Sequence, residues 1–292
     1  MAGHRDRVRY ARSTLSQMAG ETGMAGQFRM SMILTGSVSL ATALFGEAAS
    51  AQGQERNEPP GWSFTVAPYF WAAGIEGDVG VGDRQTEIDV DFSEIRENLK
   101  FGAMMLAEAR KDRYGIFFAP LFVRLGDDTN EGPFNLDVTS DVAVVGGGAF
   151  FRIAEWDLTS SGEGSSRKAW IEPLAGARYT YIRAELNIDG PFGLNPDLDE
   201  HEEWIDPIIG ASAGIELSRH WAVLVEGDVG GFGIGSDFTW NAIGLISYRT
   251  MLTGIPMQFG AGYRALSWNY DDDDFDWDVT MHGPVLGVSF QF

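Results

Sequence analysis

From Trp62 to Phe292 the chain is a succession of segments in which apolar and polar residues alternate. A period of two marks a β-strand with two unlike faces. Ten such segments can be drawn, at residues 62–74, 100–111, 114–125, 135–152, 168–185, 202–218, 221–232, 237–250, 256–270 and 276–292. In 202–218 one face carries Ile205, Pro207, Ile209, Ala211, Ala213, Ile215 and Leu217, and the other Asp206, Ile208, Gly210, Ser212, Gly214 and Glu216. In 221–232, Trp221, Val223, Val225 and Val229 oppose Glu226 and Asp228. In 256–270, Met257, Phe259, Ala261 and Tyr263 oppose Gln258, Gly260, Gly262 and Arg264. In 168–185, Ile171, Ala175, Ala177, Tyr179 and Tyr181 oppose Glu172, Gly176, Arg178 and Thr180.

Alternation alone does not say which face is wet. In a soluble sandwich the apolar face packs inward, whereas in a membrane barrel it meets lipid. Two features favour the barrel. The polar faces are rich in Gly and Ser with isolated charges, as a crowded lumen requires, and lack the dense Lys/Glu/Thr cover of soluble sheets. The connections also alternate in length, as short periplasmic turns and longer outer loops do. Short ones fall near Asp112 and Arg113, at residues 218–220 and at residues 253–255. Longer or more acidic ones fall at 75–99, 127–134, 186–201, 233–236 and 271–274. The first long connection has the pattern of a hairpin of its own, with Ile88, Val90 and Phe92 alternating against Glu87, Asp89 and Asp91. The Ser/Gly-rich connection 157–167 falls on the short side by count: it is either a long periplasmic loop or a sign that the strand count is off by a pair. The expected fold is all-β: an antiparallel up-and-down transmembrane β-barrel of about 10 strands, with 8 or 12 as neighbouring solutions. Both termini are then periplasmic.

The last segment ends on Leu286, Val288, Phe290 and Phe292, an apolar face that closes on an aromatic residue. Trp277, Val279 and Met281 lie out of phase with it, so a β-bulge is expected near Gly283 and Pro284. Twelve aromatics near segment ends, Trp62, Tyr69, Phe70, Trp71, Tyr114, Trp204, Trp221, Phe238, Trp240, Tyr248, Trp268 and Tyr270, are expected to form two interfacial girdles.

The N-terminal part supplies an export signal. Residues 32–45 are an apolar run between Arg29 and Glu47, too short to span a bilayer, which takes about 20 residues. Ala49, Ser50 and Ala51 follow in the small-x-small pattern of a signal-peptidase site, with cleavage expected after Ala51. Met24 and Met30 are alternative starts to Met1. The division is thus 1–51 extension and signal peptide, 52–61 linker and 62–292 barrel, delivered to the cell outer membrane. Cysteine is absent, which removes disulfides and thiolate metal sites. Residues 1–51 hold five basic and three acidic of the 21 and 42 in the whole chain, leaving −23 on the mature part. That sign argues against nucleic acid and an anionic substrate cleft.

Three stretches carry a family resemblance: residues 62–71 (WSFTVAPYFW), 227–240 (GDVGGFGIGSDFTW) and 283–292 (GPVLGVSFQF). They resemble uncharacterised proteobacterial outer-membrane β-barrel proteins, over most of residues 60–292. The resemblance implies the architecture, and implies that the terminal Phe292 is read by the barrel-assembly machinery. It implies no catalytic residue.

Barrel enzymes need a placed histidine, and the mature chain offers His201, His220 and His282. His220 lies in an expected periplasmic turn. His201 lies among Asp197, Asp199, Glu200, Glu202 and Glu203, and His282 is expected to face the lumen beside Thr280 and Asp278. No catalytic, cofactor-binding or metal site is assigned. The acidic loops 127–128, 197–203 and 271–274 are candidates for divalent cations, which take oxygen ligands, and through them for contact with lipopolysaccharide and outer-membrane lipid. The polar faces place Glu108, Arg110, Glu172, Arg178, Asp206, Glu216, Glu226, Asp228 and Arg264 in the lumen. Isolated buried charges are costly unless paired, so Arg110, Arg178 and Arg264 are expected to meet carboxylates across strands. The function expected is non-enzymatic, a structural or surface role or a narrow cation-preferring channel. The alternative is a barrel hydrolase acting on lipid or peptide.

Overall fold

The computed structural model describes residues 61–81, 84–131, 134–158, 167–189, 197–272 and 275–292. The expected signal peptide and its cleavage site lie outside these residues. In chain order the elements are β1 (Ser63–Trp71), β2 (Gly74–Val81), β3 (Arg84–Val90), α1 (Phe92–Asn98), β4 (Leu99–Lys111), β5 (Tyr114–Glu131), β6 (Phe134–Phe151), β7 (Ala154–Asp157), β8 (Lys168–Asp189), β9 (Asp197–Glu216), β10 (Trp221–Gly231), β11 (Phe238–Leu252), β12 (Ile255–Asp272) and β13 (Phe275–Gln291).

Ten of these strands form one closed antiparallel barrel, in the order β1-β4-β5-β6-β8-β9-β10-β11-β12-β13, with β13 returning to β1. Each corresponds to one of the ten alternating segments. Closure pairs β1 with both β4 and β13, so the sheet wraps on itself as a β-structure in lipid requires. At the seam Phe64 and Phe292 exchange both backbone hydrogen bonds, at 3.0 and 2.9 Å. No described helix is long and apolar enough to cross a membrane.

The period of two sets the two surfaces. Ile205, Ile209, Val225, Phe259, Tyr263 and Leu286 stand on the outside, and the residues between them point in. An outer wall of large exposed apolar side chains around a polar-bearing interior is the inverse of a soluble protein and fits a hydrocarbon surround. The protein is an outer-membrane β-barrel.

Turns follow from local chemistry. Asp112, Thr253 and Gly254 have φ of 54°, 51° and 86°, the left-handed backbone that two-residue hairpin turns demand. The connection after β6 contains β7, which pairs with the start of β8. It is therefore an elaborated loop, and the strand count is not off by a pair.

Four expectations are corrected. The acidic segments 127–128 and 197–203, and residues 271–272 of 271–274, are strand rather than loop, because β5/β6, β8/β9 and β12/β13 stay paired beyond the apolar band, while residues 273–274 lie outside the described residues. No bulge occurs at Gly283 and Pro284, since the pairing of β12 with β13 runs in one register from Met257↔Phe290 to Asp272↔Phe275. Trp277, Val279 and Met281 are instead buried inside: the apolar face crosses from the outer to the inner side while the backbone stays regular. The same unbroken phase puts His282 on the outer face, where its Nδ1 lies 2.6 Å from the Tyr263 hydroxyl. Finally, Tyr69, Trp71, Trp204, Trp268 and Tyr270 are inward residues that fill the barrel. Trp62, Phe70, Tyr114, Trp221, Phe238 and Tyr248 remain outside, near the two ends.

The hairpin expected in the first long connection is present as β2–β3. It changes the upper wall. β2 continues the line of β1 along β13, from Trp71↔Val285 to Gly74↔His282. β4 pairs with β1 only from Ser63↔Arg110 to Pro68↔Met105. Beyond that point β1 and β4 part, and α1 lies in the fork.

Candidate functional site

All nine charged residues assigned to the lumen from sequence point inward, and they form two groups. The first lies at the turn end, which in such barrels is periplasmic. Arg110 (β4) donates through Nη1 and Nη2 to the two oxygens of Glu172 (β8) at 2.7 and 3.1 Å, and through Nε to Glu108 at 3.1 Å. Arg152 donates through Nε to the same Glu172 at 2.7 Å and through Nη1 to Glu155 at 2.7 Å. Two guanidiniums thus converge on one carboxylate that is 1% exposed. Arg110 also lies over the Phe150 ring and Arg152 over the Trp170 ring. Trp170 finds room because residue 214 is glycine: a Cβ there would fall 2.1 Å from the indole. Nearby, Glu216 pairs with Arg249 and accepts from the Lys168 backbone N–H at 2.8 Å.

The second group crosses the middle of the lumen. Arg178 (β8) is wholly buried and donates to Asp228 (β10) at 2.5 Å and to the Thr239 hydroxyl at 2.8 Å. Asn241 (β11) links the next step, donating to Asp228 at 2.9 Å and accepting from Arg264 Nε at 2.8 Å. Arg264 therefore does not meet a carboxylate directly, contrary to expectation. The amide of Asn241 stands between it and Asp228, and the guanidinium rests over the Trp71 ring. Glu226 is buried one inward position from Asp228. Asp206 accepts from Trp204 Nε1 at 3.0 Å and from the backbone N–H and hydroxyl of Ser236, each at 2.7 Å. Its carboxylate thereby ties the connection between β10 and β11 down into the barrel.

Sequence reasoning left out Arg152, Arg249 and Asn241. A signal was there: each continues an inward phase, Arg152 after Gly148 and Phe150, Asn241 and Arg249 on the side of Ile243 and Leu245. It also left out the apolar share of the filling. Leu106, Leu121, Val142, Val144, Leu266, Trp268, Trp277 and Val279 are buried almost completely. The interior is packed with side chains, as a barrel of about this strand number permits.

The histidines do not share this interior. His201 lies beside the Tyr181 ring, His220 stacks on Tyr248 at the turn end, and His282 stands outside between Tyr263 and Glu76, 3.4 Å from the latter. Among the described residues no cluster of His, Asp or Glu has the arrangement of a metal site.

No family model and no curated relative matches the chain. Solved structures give similarities at low identity. The outer-membrane protease OmpT of Escherichia coli shares 6% identity over 84% of this chain and 99% of its own, with a TM-score of 0.45. Ail, the attachment invasion locus protein of Yersinia pestis, shares 11% over 80% and 100%, with a TM-score of 0.34 in its complex with sucrose octasulfate. Neisserial surface protein A shares 12% over 80% and 99%, with a TM-score of 0.27.

Proposed function

We propose that this outer-membrane β-barrel is a non-enzymatic protein with a structural or surface role and a closed lumen. One observation carries the proposal: the chain Arg178–Asp228–Asn241–Arg264 spans four strands across the middle of the barrel, with Arg178 and Arg264 at 0% exposure. A conducting path would leave such side chains wet. Leu106, Leu121, Leu266, Trp268 and Trp277 fill the interior around them and are buried almost completely, which supports a dry lumen. The hydrolase alternative loses support from the same geometry, since the three histidines stand on the outer face or in a turn, away from this buried polar chain. Purified barrel in planar bilayers tests the proposal. Near-zero conductance is expected, and large steady cation-selective currents would overturn it.

A further inference from the structure

The fork between β1 and β4 leaves a hollow on its inner side. The two strands are paired up to Pro68↔Met105. Above that level β2 continues β1 along β13, and α1 covers the gap by packing against β2 and β5. On the outer side the Phe92 ring of α1 meets Phe70 edge-on, with centroids 5.7 Å apart, and closes the fork. Behind this closure lies a cavity of about 110 Å³. It belongs to the lumen. Trp71, Ile75, Leu121, Val142 and Met281 line it as buried inward residues of five strands. Gly102 and Met104 of β4 line it in the inward phase of Leu106, and Ile95 of α1 covers it.

The lining fixes the chemistry of a guest. No charged side chain contributes to it. The indole N–H of Trp71 is spent on the Gly283 carbonyl at 3.2 Å, and the Tyr69 hydroxyl interacts with Arg264. The other lining side chains are hydrocarbon or thioether. An apolar cavity of about 150 Å³ in another protein stays dry and takes benzene, so a hollow of 110 Å³ holds one ring and little more. Four rings border it, those of Tyr69, Phe70, Trp71 and Phe92, with the sulfurs of Met104 and Met281. Aromatic rings favour edge-to-face and offset contacts with another ring, and thioethers favour a ring edge. The space is also kept open by the sequence. A void costs stability in proportion to its volume, yet a Cβ at Gly102 would meet only the Leu99 side chain, at 3.8 Å. The backbone has room for a side chain there, and the chain supplies none.

We propose that this pocket binds one uncharged, single-ring aromatic molecule. Crystals of the whole barrel soaked with bromobenzene test it, because bromine is located by its anomalous scattering. One bromine position among Trp71, Leu121 and Met281 is expected. Para-bromobenzoate, the same ring with a charge, should leave the pocket empty. Fluorobenzene titrated into the barrel in micelles and followed by fluorine NMR gives the affinity, as a saturable component above linear partition into detergent. Gly102→Leu should weaken that component about tenfold or more. Gly244→Leu should not, since residue 244 faces outward with nothing within 4 Å of its Cβ position. Bromine found only on the outward wall, ordered water filling the unsoaked pocket, or an unchanged affinity in Gly102→Leu would overturn the proposal. So would equal occupancy by para-bromobenzoate, or displacement of bromobenzene by bromohexane, which would assign the pocket to an alkyl chain. If Gly102→Leu does not assemble, Ala73→Val narrows the same pocket and carries the same expected loss.

Discussion

Removing Arg178 tests whether the lumen is dry. In Arg178→Ala the Asp228 carboxylate, 5% exposed, loses its ionic partner and keeps the Asn241 amide. The Thr239 hydroxyl loses the guanidinium as well. Breaking one side of a truly buried pair costs about 3–5 kcal/mol, because an uncompensated charge stays behind. At 1.4 kcal/mol per decade that is roughly two to four orders of magnitude in the folding equilibrium. A pair in a wet channel would cost about 1 kcal/mol or less. Guanidinium unfolding in detergent micelles, followed by tryptophan emission, separates the two. The double variant Arg178→Met/Asp228→Leu adds a second check. Exchanging a whole buried pair for apolar side chains is often neutral, so it should recover most of the loss. A single-variant cost below about 1 kcal/mol, or a double variant no better than the single, would refute the dry network.

Three further outcomes follow from the same geometry. Wild-type barrel should show no steady single-channel current in a planar bilayer, and Arg178→Ala with Arg264→Ala should be the combination that first admits ions. Purified protein should turn over neither phospholipid nor peptide, and histidine-dependent turnover lost in His201→Ala or His282→Ala would reverse the functional reading. The β7 tether should be pH-dependent: burial raises the Glu155 carboxyl, but hydrogen bonds from Arg152 and Lys168 outweigh this and hold it below the usual carboxylate value. A lowered value means the stabilisation is complete above the ordinary Glu range near about 4.3 and is lost as pH falls through the lowered one. The protection of the Ala154–Asp157 amides, taken relative to their intrinsic exchange rates, should therefore fall in acid, with no such step in Glu155→Gln.

The ten strands were legible because a period of two, sustained over a whole span, has few other solutions. β9 shows this best, where every residue from Ile205 to Glu216 fell on the face read from sequence. The lumen charges were legible for the same reason, since a lone Glu or Arg on a Gly/Ser face has nowhere else to point. What stayed hidden depends on partners distant in sequence. The upper half of β13 reads as out of phase because Trp277, Val279 and Met281 are apolar residues facing an apolar interior, and hydrophobicity alone cannot tell lipid from a packed lumen. Asn241 is one inward amide among many until Arg264 and Asp228 are seen on either side of it. The fork was invisible because it is a pairing that stops: nothing in β1 or β4 announces that they separate above Pro68 and Met105.

The axis of this barrel and the fork in its wall are held by different forces. Along the axis, β4, β8, β9, β10, β11 and β12 contribute ion pairs and an amide in two groups, packed among buried indoles and leucines. Opening a path would break several buried contacts at once, each costly when left half-made. At the fork the wall is already parted. The backbone edge of β4 is unpaired there, and the side chains that meet, Phe70, Phe92, Leu99 and Met104, are held by apolar contact alone. Loosening such contacts strands no charge. The paired lower parts of β1 and β4, from Ser63↔Arg110 to Pro68↔Met105, hold the two halves of the fork in place.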